Sequence, residues 1–413
     1  MADSEKVFKI IIVAPTCFYY QTSLFRKLAE HPRFDLLVLF CSDEALFARD
    51  AAAMYNTKSN WGDEDELLEG YNHKFIRNYS LWPSYLKSYF GLMNLGIWSE
   101  IRKVGPDVVV IMSWMNLTWW ATVFSCVALR IPFLFMTDAN AQLEPLRSKW
   151  KIRAKRLVLG NFLFRLASGF LYGGTANQQL YQYYGVPEDK LIPFAYSWGY
   201  ESYLEISENL KSQRPHLMEE MGIPENSFVI LFVGRLSNGK GLSELMEAFD
   251  HAQIPNKALL LVGDGELKGE LEEYVAENNL DSVYFAGFQQ RDNIPKFYAI
   301  SDVLVLPSHR ETWGIVVSEA RCFRLPLIVS DQVGAGPDMV EEGRNGYVIP
   351  AADSKALTHC LETLGVLPEE ERSTMGLRSR QIISEWTNRN LLQSLADYLD
   401  GLYSTPEGSQ NPG

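Results

Sequence analysis

The chain has 413 residues, 47% of them apolar and 22% charged, the make-up of a soluble globular protein too long for one compact core, so two domains are expected. Its net charge of −13 is unevenly spread, with residues 1–200 balancing at +3 and residues 201–413 at −16, and no half is basic enough for a nucleic-acid partner. The five cysteines (Cys17, Cys41, Cys126, Cys322, Cys360) are odd in number and contain no CxxC pair, which argues against a disulfide framework or a structural zinc and for a reducing cytosol.

In chain order, "MADSEKVFKIIIVAP" has acids before its apolar run and no small-residue cleavage site, so no signal peptide is expected. Strands are predicted at 8–14, 35–40, 107–112, 133–136, 168–173 and 190–195, alternating with helical patterns. Residues 108–129 carry no charge and are long enough to span a bilayer, but Ser113, Asn116, Thr118 and Ser125 interrupt them. A buried strand, loop and helix is the better reading. "DED" at 63–65 lies in a polar run and reads as a solvated charge cluster rather than a metal-binding pair. "RSKWKIRAKR" (147–156) packs six basic residues into ten and continues into "LVLGNFLFRLASGF". Basic and apolar residues together suit an anionic membrane surface, so 147–165 is expected near the inner face of a membrane.

Residues 201–227 are polar and weakly patterned and read as the boundary between the two domains. Strands follow at 228–234, 258–263, 283–288, 303–307, 326–330 and 346–350. Strand–helix alternation in both halves predicts two α/β, doubly wound, Rossmann-like domains facing across a cleft, with ligands at the carboxyl ends of the strands. The tail "STPEGSQNPG" reads as disordered.

Three of the later strand ends carry the chemistry. The first runs into "GRLSNGKG" with Arg235 and Lys240, the second into "DGELKG", and the third into "SHRETWG" followed by a helix from about Gly314. "GDGELKG" has the wrong spacing for a dinucleotide fingerprint, and no ribose-binding acid follows about 20 residues later. The N–H groups near Gly314, Ile315 and Val316 and the helix dipole favour phosphate. Arg235 and Lys240 add the fixed cations that an otherwise acidic domain needs. Glu311 and Glu319 repel phosphate but accept hydrogen bonds from hydroxyls. A phosphate flanked by polyols is a nucleotide sugar, with ribose on one side and a hexose on the other.

At this point the chain resembles the retaining GT-B glycosyltransferases of the family-4 (glycosyl transferases group 1) type. The resemblance rests on "GR" with "KG" (234–235, 240–241), "LVGDGEL" (261–267), "YFAGF" (284–288), "DVLVLPSHRETWGIVVSEA" (302–320) and "GAGPDMVEEGRNGYVIP" (334–350). It implies an acceptor-binding domain over 1–200, a nucleotide-sugar domain over 201–380, and a final helix near 381–403 crossing back to the first domain. It also implies that Arg235 and Lys240 hold the diphosphate and that Glu319 binds the ribose. Glu311 then holds the transferred sugar, backbone near Phe288 meets the base, and Trp313, Gly314 and Ile315 complete the donor site.

The first half departs from the family pattern. "PTCFYYQTS" has no glycine-rich loop, and neither His31 nor His73 is placed as the histidine expected near the reacting carbon. Asp138, in "MTDANAQ", is assigned to the site instead; its alternative is a helix cap. The resulting expectation is hexose transfer to a glycan or lipid-linked acceptor, with no cofactor and no metal. An epimerase or phosphorylase on the same fold, or a non-catalytic nucleotide-sugar sensor, would use the same donor site.

Overall fold

The computed structural model describes residues 6–43, 67–84, 89–113, 115–143, 150, 153, 156–194, 200–386 and 388–404. The acidic cluster at 63–65 and most of the basic run 147–156 lie outside these residues, as does the tail from 405.

Two parallel sheets form the frame. The first contains β1 (Phe8–Ala14), β2 (Phe34–Phe40), β3 (Asn72–Phe75), β4 (Val108–Ile111), β5 (Phe133–Met136), β6 (Gly169–Tyr172) and β7 (Leu191–Pro193), in the order 3-2-1-4-5-6-7. The second contains β8 (Phe228–Val233), β9 (Lys257–Val262), β10 (Val283–Gly287), β11 (Val303–Leu306), β12 (Leu327–Ser330) and β13 (Gly346–Ile349), in the order 10-9-8-11-12-13. The central strands are near-continuous apolar runs because helices cover both faces of a parallel sheet; "FVILFV" of β8 is buried at every position. In each sheet the strand order reverses beside the first strand, β1 or β8, which opens a crevice at the carboxyl ends.

Two elements differ from the sequence reading. β3, "NHKF", pairs in parallel with β2 at the sheet edge and alternates exposed with half-buried positions. Four residues with one large apolar side chain give too little periodicity to be read as a strand. Residues 201–227, read as weakly patterned, fold largely into the helices Tyr200–Lys211 and Arg214–Glu220. The first buries Tyr200, Tyr203 and Ser207, a helical stripe that its polar residues conceal. The uncharged run 108–129 resolves into β4, a loop and the helix Leu117–Leu129, and among the described residues no helix is long and apolar enough to cross a membrane.

Two cores hold the molecule. One runs from the first sheet's β1–β2 side through the entire second domain, and the other fills the opposite face of the first sheet. The chain also returns to its beginning. The helix Glu369–Glu385 packs on the second domain, where Ser379 Oγ donates to the Leu325 carbonyl at 2.8 Å. The helix Asn388–Ser404 then docks on the first domain: Arg33 Nη2 meets Asp400 Oδ1 at 2.6 Å, Tyr403 donates to the Asp107 carbonyl at 2.6 Å, and Tyr398 donates to the Ser168 carbonyl.

Candidate active site

The loop after β8 turns sharply to deliver Lys240. Gly241 takes φ +69°, and a Cβ there would lie 2.1 Å from the Pro307 carbonyl oxygen, so the turn is pressed against the end of β11. That contact brings two strand ends together. Lys240 Nζ meets Glu311 Oε2 at 2.5 Å, both side chains partly exposed to the crevice. Arg235 follows β8 after Gly234 and is half-buried, in the same loop as Lys240. His309 Nε2 lies 2.9 Å from Glu244 Oε1.

Glu311 is held by its backbone. Its N–H donates to the Gln332 carbonyl at 3.3 Å and its carbonyl accepts from Gly334 N–H at 3.2 Å. Gly314, at φ +93°, then opens the helix Ile315–Cys322. The two acids of the motif therefore stand as expected, one before the helix and one in its second turn. The first-turn N–H groups at Ile315 and Val316 point out of the helix N-terminus, as at the start of any α-helix. Glu319 is buried and accepts from Tyr298 Oη at 2.7 Å. Burial raises its carboxyl pKa above the ordinary value, and the hydrogen bond from Tyr298 and the charge of Arg291 offset this only in part. Phe288 follows β10, half-buried at the same carboxyl-terminal edge. The Trp313 indole is buried, 6.0 Å from the Trp386 ring and packed over Gly174.

The first domain completes the site across a seam invisible in the sequence. Asn140 Nδ2 donates to the carbonyls of Glu311 (3.0 Å) and Thr312 (2.8 Å). Thr175 donates to Asp338 twice, from Oγ1 at 2.6 Å and from its N–H at 2.9 Å. Burial raises the pKa of Asp338 against these two bonds. Gly174 is required at this closeness, since a Cβ there would lie 2.4 Å from Trp313 Cζ3. Asp138 stands two residues from Asn140. The residue is exposed to solvent, and surrounding protein desolvates its carboxyl only in part. That partial burial raises its pKa, its own N–H lowers it, and the Glu311 charge raises it further. The structure thus brings Asp138, Lys240, Glu311 and the helix N-terminus to one cleft. The sequence reading misses Asn140, Thr175 and Asp338 as the parts that align it, although Asn140 and Asp338 stand in "MTDANAQ" and "GAGPDMV"; Thr175, in "GGTANQQ", carries no such signal.

Residues 213–381 match the family model described as "Glycosyl transferases group 1". Among curated proteins, the chain is 29% identical to an alpha-D-kanosaminyltransferase of Streptomyces kanamyceticus over 164 residues, 38% of this chain and 42% of that protein. It is 33% identical to a sulfoquinovosyl transferase of Arabidopsis thaliana over 174 residues, 41% of this chain and 32% of that protein. The match spans less than half the length of these relatives. Among solved structures, Anabaena HepE in complex with UDP and glucose superposes with a TM-score of 0.68 at 18% identity, covering 96% of this chain and all of that one. A glycosyltransferase from Rickettsia africae superposes with a TM-score of 0.73 at 15% identity, over 97% and 99% of the two chains. The second sheet and its helices are therefore a glycosyl transferases group 1 domain, and the chain as a whole has the GT-B fold.

Proposed function

We propose that this protein is a retaining glycosyltransferase that moves a hexose from a nucleoside diphosphate sugar to an acceptor hydroxyl, in polysaccharide or glycolipid synthesis. The observation that carries the reading is the Lys240–Glu311 pair at the mouth of the Ile315–Cys322 helix, facing Asp138 across the cleft. A cation and helix N–H groups suit a diphosphate, and a carboxylate beside them suits the sugar at its end. Arg235 and Lys240 hold the diphosphate, Glu319 the ribose, Glu311 the transferred sugar, and backbone near Phe288 the base. That HepE was crystallised with UDP and glucose on this fold supports the donor class. The departing phosphate oxygen takes the acceptor proton on the same face, with Asp138 beside the reacting carbon. Positioning in a closed cleft supplies much of the rate. The acceptor is a glycan or lipid-linked molecule, and segment 147–165 faces the inner surface of a membrane. The test is to incubate the protein with UDP-, GDP- and ADP-sugars and acceptor extracts, following both nucleotide release and glycan product. Nucleotide release without a glycan product indicates an epimerase, and tight binding without release indicates a sensor. Either result overturns the reading.

Two further outcomes are expected. The leaving diphosphate is stabilised by Arg235, Lys240 and the helix N-terminus, so activity survives exhaustive chelation. A loss in EDTA that Mg²⁺ or Mn²⁺ restores contradicts this. Glu319→Gln weakens nucleotide affinity about tenfold or more with little change in kcat at saturating donor, because ribose contacts do not change during the reaction. Calorimetry beside saturation kinetics separates the two quantities; a fall confined to kcat removes Glu319 from the ribose.

A further inference from the structure

One surface has no part in the cleft described so far. The helices Ile97–Val104 and Leu117–Leu129 and the π-helical run Arg156–Leu163 all stand on the same core, which fills one face of the first sheet. Their inward sides bury Ile97, Ile101, Trp119, Val123, Leu159 and Leu163. Their other sides therefore face outward together, and they expose Phe124, Val127, Leu157 and Phe162. At the cleft end of the same layer, the loop after β3 is closed by Tyr79 N–H donating to the Met93 carbonyl at 3.1 Å. Leu117 N–H ties it to the second helix through the Tyr89 carbonyl at 3.0 Å. This loop leaves Leu81 82% and Trp82 77% exposed. Soluble monomers seldom present so much large apolar surface in one layer unless something covers it.

Charge identifies what does. Residues 71–187 contain thirteen Lys and Arg against four Asp and Glu, a balance of +9 inside a chain of −13. Glu100 is paired with Lys74 at 2.7 Å, Asp107 with Lys6 at 2.8 Å, and Asp138 faces the cleft; Glu144 lies outside the described residues. Acids of this stretch thus do little to offset Arg102 and Lys103, exposed at the end of the first helix, or Arg153 and Arg156. A second copy of the chain would bring like charges face to face across a two-fold interface, whose core is normally poor in charge. An anionic bilayer is complementary in both respects: its headgroups attract the basic side chains and its interface accepts Trp and Leu.

We propose that this helix layer, together with residues 77–84 and 89–95, is a docking surface for an anionic lipid bilayer, extending well beyond segment 147–165. The loop follows the carboxyl end of β3, on the same sheet edge as Asp138, so docking sets the acceptor side of the cleft at the membrane surface. This rests on the transferase reading only for its purpose. Vesicle binding requires no turnover, so the two stand or fall separately.

The test is co-sedimentation with phosphatidylcholine vesicles, with and without phosphatidylglycerol, at low and high salt. The wild-type chain is expected to bind the anionic vesicles at low salt and to release them at high salt. Arg102→Gln with Lys103→Gln is expected to weaken binding about 30-fold, at about 1 kcal/mol per basic residue near the surface. Leu81→Ser with Trp82→Ser is expected to weaken it roughly tenfold or more. These exposed changes leave the fold and nucleotide affinity intact, which circular dichroism and calorimetry verify. Three results overturn the proposal. The wild type ignores anionic vesicles; or only Arg153→Gln with Arg156→Gln matters, confining contact to 147–165; or light scattering finds a dimer that the Leu81 and Trp82 changes dissociate.

Discussion

Glu311→Gln is expected to lower kcat about 100-fold while nucleotide affinity falls less than tenfold. The side chain is isosteric, and its backbone stays anchored by Gln332, Gly334 and Asn140, so the amide occupies the carboxylate's place. Only the charge is lost. Positive charge develops on the transferred sugar as its bond to phosphate breaks, so a facing carboxylate contributes more in the transition state than in the bound donor. About 3 kcal/mol of such stabilisation corresponds to about two decades in rate. The ion pair with Lys240 is lost as well, which leaves that lysine to the diphosphate alone and keeps donor affinity from collapsing. Calorimetry with nucleotide and kcat at saturating donor measure both effects. Near-normal turnover in this variant makes Glu311 a structural residue and removes the centre of the proposed mechanism.

Gly241→Ala is expected to be the most damaging small substitution in the donor domain. The residue sits at φ +69°, where a Cβ costs about 1–2 kcal/mol, and its Cβ would stand 2.1 Å from backbone, which cannot swing aside as a side chain could. Together these give a loss of about 3 kcal/mol, or roughly 6–12 °C in Tm for a domain of this size. Strain also moves Lys240, the preceding residue, away from Glu311, so nucleotide affinity falls with stability. Gly239→Ala is the control: it too has positive φ, +91°, but nothing lies within 4 Å of its Cβ. Thermal melts that place both variants together would show that the close approach to Pro307 carries no weight.

Much of this was legible before any coordinates. Buried parallel strands are continuous apolar runs, so every strand except β3 could be read from its own residues, and β3 escaped because an edge strand needs no such run. The donor motif was legible because its parts are local: a strand end, a glycine at positive φ, a helix start and an acid one turn in. The rest depends on which loops meet across the cleft, and no short-range pattern encodes that. Lys240 and Glu311 were each placed at strand ends, but their contact joins residues 71 positions apart. Asn140 with Glu311 and Thr175 with Asp338 span still more chain. The buried stripe of Tyr200–Lys211 is masked by its three glutamates and Lys211 on the same turns.

The return of the final helix to the first domain fixes how the two halves can move. The chain passes between them twice, once before the Tyr200–Lys211 helix and once between the Glu369–Glu385 and Asn388–Ser404 helices. Two bodies tethered at a single point can swivel in every direction. Tethered at two, they keep one easy freedom, rotation about the line through both points, as a door turns on a pair of hinges. Sliding and twisting are resisted by Asp400 and Tyr403, which anchor the second tether to Arg33 and Asp107 beside β1. Opening therefore parts Asn140 from Glu311 and Thr175 from Asp338 along one arc, and closing brings both pairs back into the same register on every cycle.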